Sequence, residues 1–440
     1  MSEAANWDML VIGGTVLTME PDSEPIKSGA VAVADGRIAA VGPAEELLEL
    51  SPSGAVLNAG NSIILPGLVN THSHLAMTLL RGIADDIPLK EWLEQHIWPV
   101  ESKYMDRETV RLGTELATAE LLLAGVTTTA DMYFFGDEVS AVLAEAGMRG
   151  VVAESLIDIP TPRCATPEEM LEKQRELLET YSNHPLITPS VAAHSPYSVS
   201  AANLVKEAEL AEEYEVSMQI HLAETTWEVE TLLGEKGVSP VAYLADLGVL
   251  SERTVAAHCV HVSSEDIELL AEFEAGVSHN PVSNLKLASG VSPVPAMVAN
   301  GVKVGLGTDG AASNNTLDLL RDMQLAALLH KGIIGDPTVL PARTMLEMVT
   351  INGAQLLGLE NIGTLTEGRE ADLICIAVDG PHTAPMYDPF SHLVFAARSS
   401  DVRHVVIRGQ VVVRNHELQT MDRERIEMQA REFSENVRSS

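Results

Sequence analysis

Short apolar runs alternate with amphipathic helical patterns over most of this chain, from about residue 64 to residue 357. The apolar runs number eight and cover residues 64–70, 126–130, 150–154, 187–192, 217–221, 254–257, 276–278 and 302–306. Regular alternation of strand and helix is typical of a parallel sheet, and eight strand–helix units are the number that closes a TIM barrel. We therefore predict an α/β protein with a (β/α)8 TIM barrel over residues 64–361.

Both ends of the chain carry β-branched runs broken by turn signals, within residues 8–43, 371–379 and 403–413. Asp35-Gly36, between alternating apolar residues, is typical of a two-residue hairpin. Residues 421–438 have the pattern of a charged amphipathic helix. Because the two ends of a domain often lie near each other, we predict that residues 1–63 and 362–440 form one small β-sandwich domain that includes this helix.

The sequence carries 63 acidic residues against 28 basic ones, which gives a formal net charge of −35. A surface this negative repels phosphate backbones and anionic lipid, so nucleic acids and membrane surfaces are poor partners. Such a surface also repels itself, and salt screens that repulsion beyond about 10 Å at 0.1 M. We therefore hypothesise that the protein is adapted to salt.

Cysteine usage and the N-terminal residues both favour a cytoplasmic protein. Cys164, Cys259 and Cys375 are odd in number and widely spaced, so they predict neither a disulfide framework nor a CxxC pair. The first ten residues contain acids where a signal peptide has basic residues. No stretch approaches the roughly 18 uninterrupted apolar residues of a membrane helix.

Four motifs carry candidate chemistry, and each follows one of the apolar runs. The first is Thr71-His72-Ser73-His74, after the first run. Residues i and i+2 of an extended chain point to the same side, so His72 and His74 can converge on one metal ion. An HxH pair alone is weak evidence, but the carboxyl ends of barrel strands are where TIM barrels place their active sites.

Two further histidines follow the fifth and sixth runs. His221 can supply a third nitrogen ligand, and Glu224 lies just beyond it, placed to exchange protons with a water instead of binding the metal. Taken alone, this motif is better explained by a backbone-bonded histidine and a helix-start glutamate. His258 precedes Cys259, which we interpret as a buried apolar residue, because the nearby histidines and acids favour a nitrogen and oxygen site.

Asp309 stands in Gly305-Leu306-Gly307-Thr308-Asp309-Gly310, after the eighth run. It can act as a fourth ligand or as a base, although an ordinary strand-to-helix turn rich in Gly and Asp has the same composition. The segment is not a phosphate loop, because it lacks the pattern GxxxxGK[ST]. Each motif is ambiguous by itself, but their common position after runs one, five, six and eight is improbable by chance.

This combination resembles the amidohydrolase superfamily, whose barrels hold a metal through an HxH pair, a later histidine and an aspartate after the eighth strand. The resemblance covers nearly the whole chain, including ILPGLVNTHSHL (64–75). It implies one divalent ion, with Zn²⁺ preferred over Fe²⁺ or Mn²⁺, held by His72, His74, His221 and Asp309. It also implies that Glu224 protonates a ring nitrogen of the substrate, that His258 orients the attacking hydroxide, and that Asp309 accepts a proton.

A closer resemblance is to the 5'-methylthioadenosine/S-adenosylhomocysteine deaminases. The shared segments are TLLRGIADDIPLKEWLEQHIWPVE (78–101), AAHSPYSVS (192–200) and SHNPVSNLKLASGVSPV (278–294). The resemblance implies that Glu101 contacts ribose hydroxyls and that His194 lies near the base, with Glu224 and Asp309 also touching the substrate. His279 is expected to line the site. Trp92 and Met77 are better suited to core packing than to contact with a purine or methylthio group.

The sequence departs from this family at one place. Several members carry an arginine a few residues after a GMR segment, where it helps to bind the substrate tail, whereas this chain has Glu154 near that position. Arg163, in the following loop, is a candidate replacement, and Arg149 is a candidate structural residue. The departure concerns recognition of the homocysteine carboxylate more than the deamination itself.

Three functions stay open on the sequence. The first is a hydrolytic deaminase that converts the 6-amino group of 5'-methylthioadenosine, S-adenosylhomocysteine or adenosine to the 6-oxo product and releases ammonia. The second keeps the fold and changes the substrate, as in a guanine or oxopurine deaminase or a chlorotriazine-type hydrolase. The third is a non-catalytic barrel scaffold, which is disfavoured because every expected ligand is present. The expected partner is a small-molecule nucleoside, and a homo-oligomer is an open alternative to a monomer.

Overall fold

The computed structural model describes residues 7–50 and 54–439 of the chain. Most of the N-terminal segment used to argue against a signal peptide, residues 1–6, lies outside the described residues. The strands, numbered along the chain, are β1 (Met9–Val16), β2 (Ile26–Ala34), β3 (Arg37–Pro43), β4 (Ala55–Pro66), β5 (Leu68–Asn70), β6 (Val126–Tyr133), β7 (Arg149–Leu156), β8 (Ile187–Pro189), β9 (Val191–Ala193), β10 (Met218–Leu222), β11 (Thr254–His258), β12 (Gly276–His279), β13 (Val304–Leu306), β14 (Leu373–Ala377), β15 (Val402–Ile407), β16 (Gln410–Arg414) and β17 (Glu417–Leu418).

Helices follow most of these strands. They are α1 (Ala44–Glu49), α2 (Leu89–Glu91), α3 (Trp98–Tyr104), α4 (Arg107–Leu123), α5 (Gly136–Ala146), α6 (Pro167–Tyr181), α7 (Ala201–Tyr214), α8 (Thr226–Lys236), α9 (Pro240–Asp246), α10 (Ser264–Glu272), α11 (Pro281–Lys286), α12 (Val294–Ala299), α13 (Ala311–Asn314), α14 (Leu319–Ile334), α15 (Ala342–Met348), α16 (Ile351–Leu356), α17 (Pro389–Phe395) and α18 (Arg423–Ser439). A π-helical turn (Trp92–Ile97) joins α2 to α3, and short 3-10 helices cover Leu75–Leu80, Pro381–Thr383 and Ser399–Asp401. The predicted C-terminal helix is confirmed as α18.

Parallel strands form a barrel in the middle of the chain. They pair in the order β5-β6-β7-β9-β10-β11-β12-β13, with β8 joined to β7 at the side. Every pairing along this path is parallel. The backbone N–H of Thr71 donates to the carbonyl oxygen of Leu306 at 3.0 Å, which joins the first strand to the last. Each of the eight predicted runs overlaps a strand of this sheet, and the fourth is divided between β8 and β9, so the predicted (β/α)8 TIM barrel is confirmed.

The first predicted run, residues 64–70, is wrong as a single barrel strand. Its first half belongs to β4, which pairs with β1 and β14 in the other sheet, whereas β5 pairs with β6. The chain passes from one sheet to the other at Gly67, where an added Cβ would lie 2.0 Å from Oγ1 of Thr127. Only a residue without a side chain permits this approach. The run is apolar throughout because both halves are buried, so its composition does not mark the change of sheet.

Strands from the two ends of the chain form a mixed sheet in the order β17-β16-β15-β14-β4-β1-β2-β3. The predicted hairpin at Asp35-Gly36 joins β2 to β3, and its two residues have φ of 51° and 74°, as a type I′ turn requires. A bridge between Arg37 and Glu370 brings β3 next to the segment before β14, so the sheet bends over its own core. Val31 and Val406, from the two halves, belong to one buried cluster. The small β-sandwich domain predicted from the two ends is confirmed as this mixed sheet.

A buried ion pair joins the barrel to this sheet. Arg149, the first residue of β7, donates to both carboxylate oxygens of Asp372 at 2.9 and 3.3 Å. The two side chains are 8% and 2% exposed, so loss of either partner would leave a buried charge. The contact gives Arg149 a structural role. The domain boundaries at residues 63/64 and 361/362 stay predictions.

Two expectations from composition concern the chain as a whole. Cys164, Cys259 and Cys375 are buried free thiols, as their spacing predicted. Within residues 7–50 and 54–439, no helix combines the length and the apolar character that a membrane span needs.

Candidate active site

Three histidines and an aspartate meet at the rim where the barrel strands end. His72 and His74 follow β5, His221 lies in β10, and Asp309 follows β13. Oδ1 of Asp309 lies 3.4 Å from Nε2 of His72 and 3.3 Å from Nε2 of His74, whose Nε2 lies 3.2 Å from that of His221. Two nitrogens that share one zinc-sized ion at about 2.1 Å must lie within about 4.2 Å of each other. Among the described residues, two groups that share His72 have ligand atoms within 4.8 Å of one another: His72, His74 and Asp309, and His72, His221 and His258.

The other ring nitrogens of two of these histidines are bound to backbone carbonyls. Nδ1 of His74 lies 2.7 Å from the oxygen of Met132, and Nδ1 of His221 lies 2.7 Å from that of His194. A carbonyl oxygen only accepts, so each Nδ1 carries a proton and each neutral ring keeps a lone pair on Nε2. Nε2 of His72 is buried and has no hydrogen-bond partner among the described residues. Lone pairs at this spacing repel unless a cation lies between them, so the cluster fits a divalent metal ion.

Three donors fix the carboxylate of Asp309. Ser283 and Ser313 donate to Oδ2 at 2.6 and 2.7 Å, and the backbone N–H of Gly310 donates to Oδ1 at 2.7 Å. Asp309 has a φ of 60°, a left-handed conformation that costs an L-residue about 1–2 kcal/mol. The three donors help to hold this strained residue and leave Oδ1 facing the histidines.

Burial sets the ionisation of this cluster. It lowers the pKa of His72 to about 4 and that of His221 well below its ordinary value, because a dry site disfavours the imidazolium. Burial opposes the charged forms of Asp309 and His74 as well. Their mutual hydrogen bond and attraction outweigh it, so the pKa of Asp309 lies well below its usual range and that of His74 rises to about 8. His72 and His221 are therefore neutral at pH 7, and Asp309 is ionised.

Glu224 and His258 lie side by side next to the cluster. Oε2 of Glu224 is 3.8 Å from Nε2 of His258, and Oε1 accepts a hydrogen bond from the hydroxyl of Ser289 at 3.1 Å. Nδ1 of His258 donates to Oδ1 of Asn284 at 2.8 Å, which leaves Nε2 facing Glu224. Burial raises the pKa of Glu224, so this carboxyl holds a proton more readily than a glutamate in water. Such a group is suited to general acid catalysis.

A pocket opens beside these residues. Its walls are largely apolar and aromatic with a few polar groups, as is usual for sites that bind small organic molecules. The apolar walls include Met77, Leu89, Trp92, Trp98, Phe134, Ile157 and Leu287. Met77 and Trp92, which the sequence favoured as core residues, are both buried and part of this wall.

Glu101 and His194 contribute polar groups to the same pocket. Glu101 lies in α3, is 5% exposed, and accepts a hydrogen bond from the hydroxyl of Tyr133. Burial raises the pKa of Glu101, although the bond from Tyr133 opposes this shift. A carboxylate has about four acceptor positions, so Glu101 keeps capacity for ligand hydroxyls. His194 follows β9, and its Nδ1 lies 2.7 Å from the hydroxyl of Ser198.

Two of the expected substrate contacts are not brought to the pocket wall. His279, at the end of β12, is buried with its Nε2 3.2 Å from Nε2 of His330. Arg163 donates to Asp137 at 2.6 Å and to Glu154 at 2.7 Å, and its side chain is 10% exposed. It would have to leave both carboxylates to reach a substrate. The substrate roles of His279 and Arg163 stay predictions.

The residues that orient the site were missed in the sequence. They are Tyr133 for Glu101, Asn284 for His258, Ser289 for Glu224, and Ser283 and Ser313 for Asp309. Three of them lie in SHNPVSNLKLASG, where only His279 was singled out; attention to its hydroxyl and amide side chains would have found them. Tyr133 ends a uniformly buried strand and has no such signal.

Known proteins resemble this chain over nearly its whole length. The model of the amidohydrolase family matches residues 63–412, and the imidazolonepropionase-like composite domain of bacteria matches residues 29–52. A protein of Syntrophobacter fumaroxidans named 5-methylthioadenosine/S-adenosylhomocysteine deaminase is 46% identical over 98% of this chain and 98% of its own. A protein of Methanosarcina acetivorans named 5'-deoxyadenosine deaminase is 40% identical, with the same shares of both chains.

A solved structure extends this likeness to both parts of the fold. It is an adenosine deaminase from Xanthomonas campestris with bound zinc, which superposes with a TM-score of 0.97 over 99% of each chain at 37% identity. The match therefore includes the barrel as well as the terminal sheet. The chain belongs to the amidohydrolase family and, within it, to the family of the 5-methylthioadenosine/S-adenosylhomocysteine deaminases.

Proposed function

We propose that this protein hydrolyses the 6-amino group of 5'-methylthioadenosine, S-adenosylhomocysteine or adenosine, giving the 6-oxo nucleoside and ammonia. One observation carries the proposal: a buried carboxyl, Glu224, adjoins a metal-binding cluster, and a second, Glu101, faces the same apolar pocket. The first suits acid catalysis at a ring nitrogen, and the second suits a sugar diol. The names of the similar proteins support this substrate class.

The ion would be held by His72, His74, His221 and Asp309. Zn²⁺ is the proposed metal, because imidazole and carboxylate suit it and because zinc is bound in the similar adenosine deaminase. Fe²⁺ and Mn²⁺ are the alternatives that elemental analysis distinguishes. When bound, such an ion supplies hydroxide at neutral pH by lowering the pKa of water.

The protein's own carboxyl groups move the protons. Glu224, whose pKa is raised by burial, donates a proton to the ring nitrogen next to the amino-bearing carbon, which makes that carbon easier to attack. Asp309 is ionised and accepts a proton from the attacking water. His258 directs Nε2 at the same region and orients that water. Glu224, ionised after the first transfer, takes the remaining proton of the added water oxygen and passes it to the departing amino group, which leaves as ammonia. The proton held by Asp309 then returns to Glu224, so one water and one amino group become one oxo group and one ammonia.

The remaining pocket residues bind and orient the nucleoside. Glu101 accepts the two ribose hydroxyl hydrogens while Tyr133 holds its carboxylate in place. His194 contacts an edge of the purine. The apolar wall that includes Met77 and Trp92 takes the purine and the 5' sulfur substituent.

A substrate panel tests the proposal. Metal-loaded protein is incubated with 5'-methylthioadenosine, S-adenosylhomocysteine, adenosine, guanine and a chlorotriazine, and both ammonia release and the adenine absorbance band are followed. We expect turnover of adenine nucleosides and none of guanine. Turnover of guanine or the triazine alone would replace the proposed substrate. Turnover of none of the five would favour the scaffold alternative.

A further inference from the structure

Glu228 is a buried carboxyl that the reaction above does not use. It lies in the first turn of α8, and 1% of the residue is exposed. Its Oε1 accepts the backbone N–H of Ala223 at 3.0 Å, and its Oε2 accepts the backbone N–H of Glu224 at 2.8 Å. Both amides belong to the turn that presents the catalytic carboxyl, so Glu228 contacts the backbone of the residue that carries the acid.

Ordinary helix capping does not explain this arrangement. Thr225 and Glu228 have the spacing of a capping box, in which the glutamate would accept the N–H of the N-cap residue. Thr225 makes the first contact of the capping box, since its hydroxyl accepts the N–H of Glu228 at 3.2 Å. In α10 the box is complete, because Asp266 accepts the N–H of Ser263 at 2.9 Å. Glu228 instead reaches beyond the cap to the two residues before it.

The turn before α8 contains a strained residue. Ala223 has a φ of 50°, a left-handed conformation that costs alanine about 1–2 kcal/mol. The carbonyl oxygen of Ala223 accepts N–H groups from Val260 and His261 at 3.0 and 2.9 Å, which hold one side of the turn. On the other side of the turn, the carboxyl of Glu228 accepts the backbone N–H groups of Ala223 and Glu224. Beyond the backbone, the side chain of Glu224 accepts a hydrogen bond from the hydroxyl of Ser289 at 3.1 Å.

We propose that Glu228 is a positioning residue for catalysis, whose carboxyl clamps the backbone of Ala223 and Glu224 so that the acid stays beside His258. The inference rests on the role proposed above for Glu224. Both oxygens of a carboxyl can accept a hydrogen bond in either protonation state, whereas glutamine has one acceptor oxygen and would turn its NH₂ toward the second N–H. Glu228→Gln therefore keeps the shape of the side chain and breaks the clamp.

The first test compares Glu228→Gln with Asp266→Asn, which disrupts the complete capping box of α10 away from the pocket. A shift of about 1 Å in a catalytic group can cost about 100-fold in rate, so we expect kcat of Glu228→Gln to fall roughly 10- to 100-fold with little change in KM. Asp266→Asn should lower Tm and leave kcat unchanged. A Glu228→Gln enzyme with parental kcat, or with its whole defect in KM, would overturn the proposal.

A double-mutant cycle tests whether Glu228 acts through Glu224. In the Glu224→Gln background, Glu228→Gln should cause almost no further loss of kcat, because the group it positions is already gone. An equal loss in both backgrounds would show that Glu228 acts elsewhere. Each kcat of a variant is divided by the kcat of its parent, measured on whichever substrate the parent turns over. A wrong substrate assignment therefore changes which substrate is used, whereas a wrong role for Glu228 changes the ratio.

Amide hydrogen exchange supplies a measurement that needs no activity. Both clamped amides should be protected in the wild-type protein and exchange at least about tenfold faster in Glu228→Gln, but not in Asp266→Asn. If Glu228→Gln does not fold, Glu228→Asp replaces it, because the shorter side chain cannot reach both amides. Rapid exchange of these amides in the wild-type protein contradicts the clamp whatever the variants do.

Discussion

The Nε2 atoms of His74 and His221 lie 3.2 Å apart, although 147 residues separate the two histidines in the chain. Each Nδ1 proton is donated to a backbone carbonyl, so a neutral ring keeps a lone pair on Nε2. Because the pKa of His74 is raised to about 8, its Nε2 holds a proton at pH 7 when no metal is bound, and metal binding has to displace that proton. Metal binding and the stability of this rim are expected to be coupled.

His72→Ala should lose the metal. The substitution removes a buried nitrogen that lies 3.4 Å from Oδ1 of Asp309 and has no hydrogen-bond partner in the described part of the chain, as expected for a ligand atom. We expect the bound metal to fall from about one per chain to a small fraction after dialysis, measured by elemental analysis. His184→Ala, at an exposed histidine, is the control that keeps its metal. Full occupancy in His72→Ala would remove His72 from the ligand set.

Glu224→Gln should keep the metal and lose most of the turnover. The amide fills the same space but cannot donate the proton from Oε2, and general acid catalysis typically contributes about 10²- to 10⁴-fold. The measurement is kcat together with metal content. Glu230→Gln, exposed on α8, which begins two residues after Glu224, controls for a local change of charge. If Glu224→Gln retains parental kcat, the proton transfer assigned to Glu224 is wrong.

Glu101→Gln should discriminate between substrates with and without ribose hydroxyls. Hydrogen bonds to a charged acceptor are worth about 1.5–3 kcal/mol, so kcat/KM for adenosine should fall roughly 10- to 100-fold. The effect should vanish with 2',3'-dideoxyadenosine, which has no diol. Tyr133→Phe removes only the supporting bond to Glu101 and should cause a smaller loss. Equal losses on both nucleosides would place Glu101 away from the ribose.

Glu207→Gln should change how stability depends on pH. Glu207 is fully buried in α7, accepts a bond from Gln174 at 2.7 Å, and has a pKa raised well above its usual range by burial. A raised folded-state pKa gives stability that is complete below the unfolded-state pKa and lost as pH rises toward the folded-state value. The loss is about 1.4 kcal/mol per pH unit for one proton.

The free energy of unfolding, measured by denaturant titration at pH 5 and pH 7, checks this prediction. The wild-type protein should lose more stability over that interval than Glu207→Gln, whose amide does not titrate. Glu209→Gln, exposed on the same helix, should follow the wild type. The same pH dependence in Glu207→Gln and the wild type would show that Glu207 ionises normally in the folded protein.

Salt should stabilise the protein. With a formal net charge of −35, repulsion between carboxylates opposes the folded state. Salt screens this repulsion, because the Debye length falls from about 10 Å at 0.1 M to about 3 Å at 1 M salt. We expect Tm to rise between low salt and molar sodium chloride. A Tm that does not change over this range would contradict adaptation to salt.

Local patterns were enough to predict the barrel and to place the candidate site residues at one rim of it. His72, His221, His258 and Asp309 each follow or end an apolar run, and parallel strands carry the residues at their carboxyl ends to one face. The prediction failed at Gly67, where one continuous apolar run serves two sheets because both are buried. Neither the spacing of apolar residues nor their composition can show where a strand moves from one sheet to another when both surroundings are apolar.

By itself, the sequence determined the barrel, the hairpin at Asp35-Gly36 and the position of the candidate ligands at the strand ends, because strand period, turn chemistry and motif spacing are properties of short segments. Only the tertiary structure decided what each polar group contacts. It pairs Arg163 with Glu154, Tyr133 with Glu101, and Glu228 with the backbone before its own helix. Such partners follow from how loops pack against each other, since a buried polar group must find a donor or acceptor wherever the fold brings one within reach.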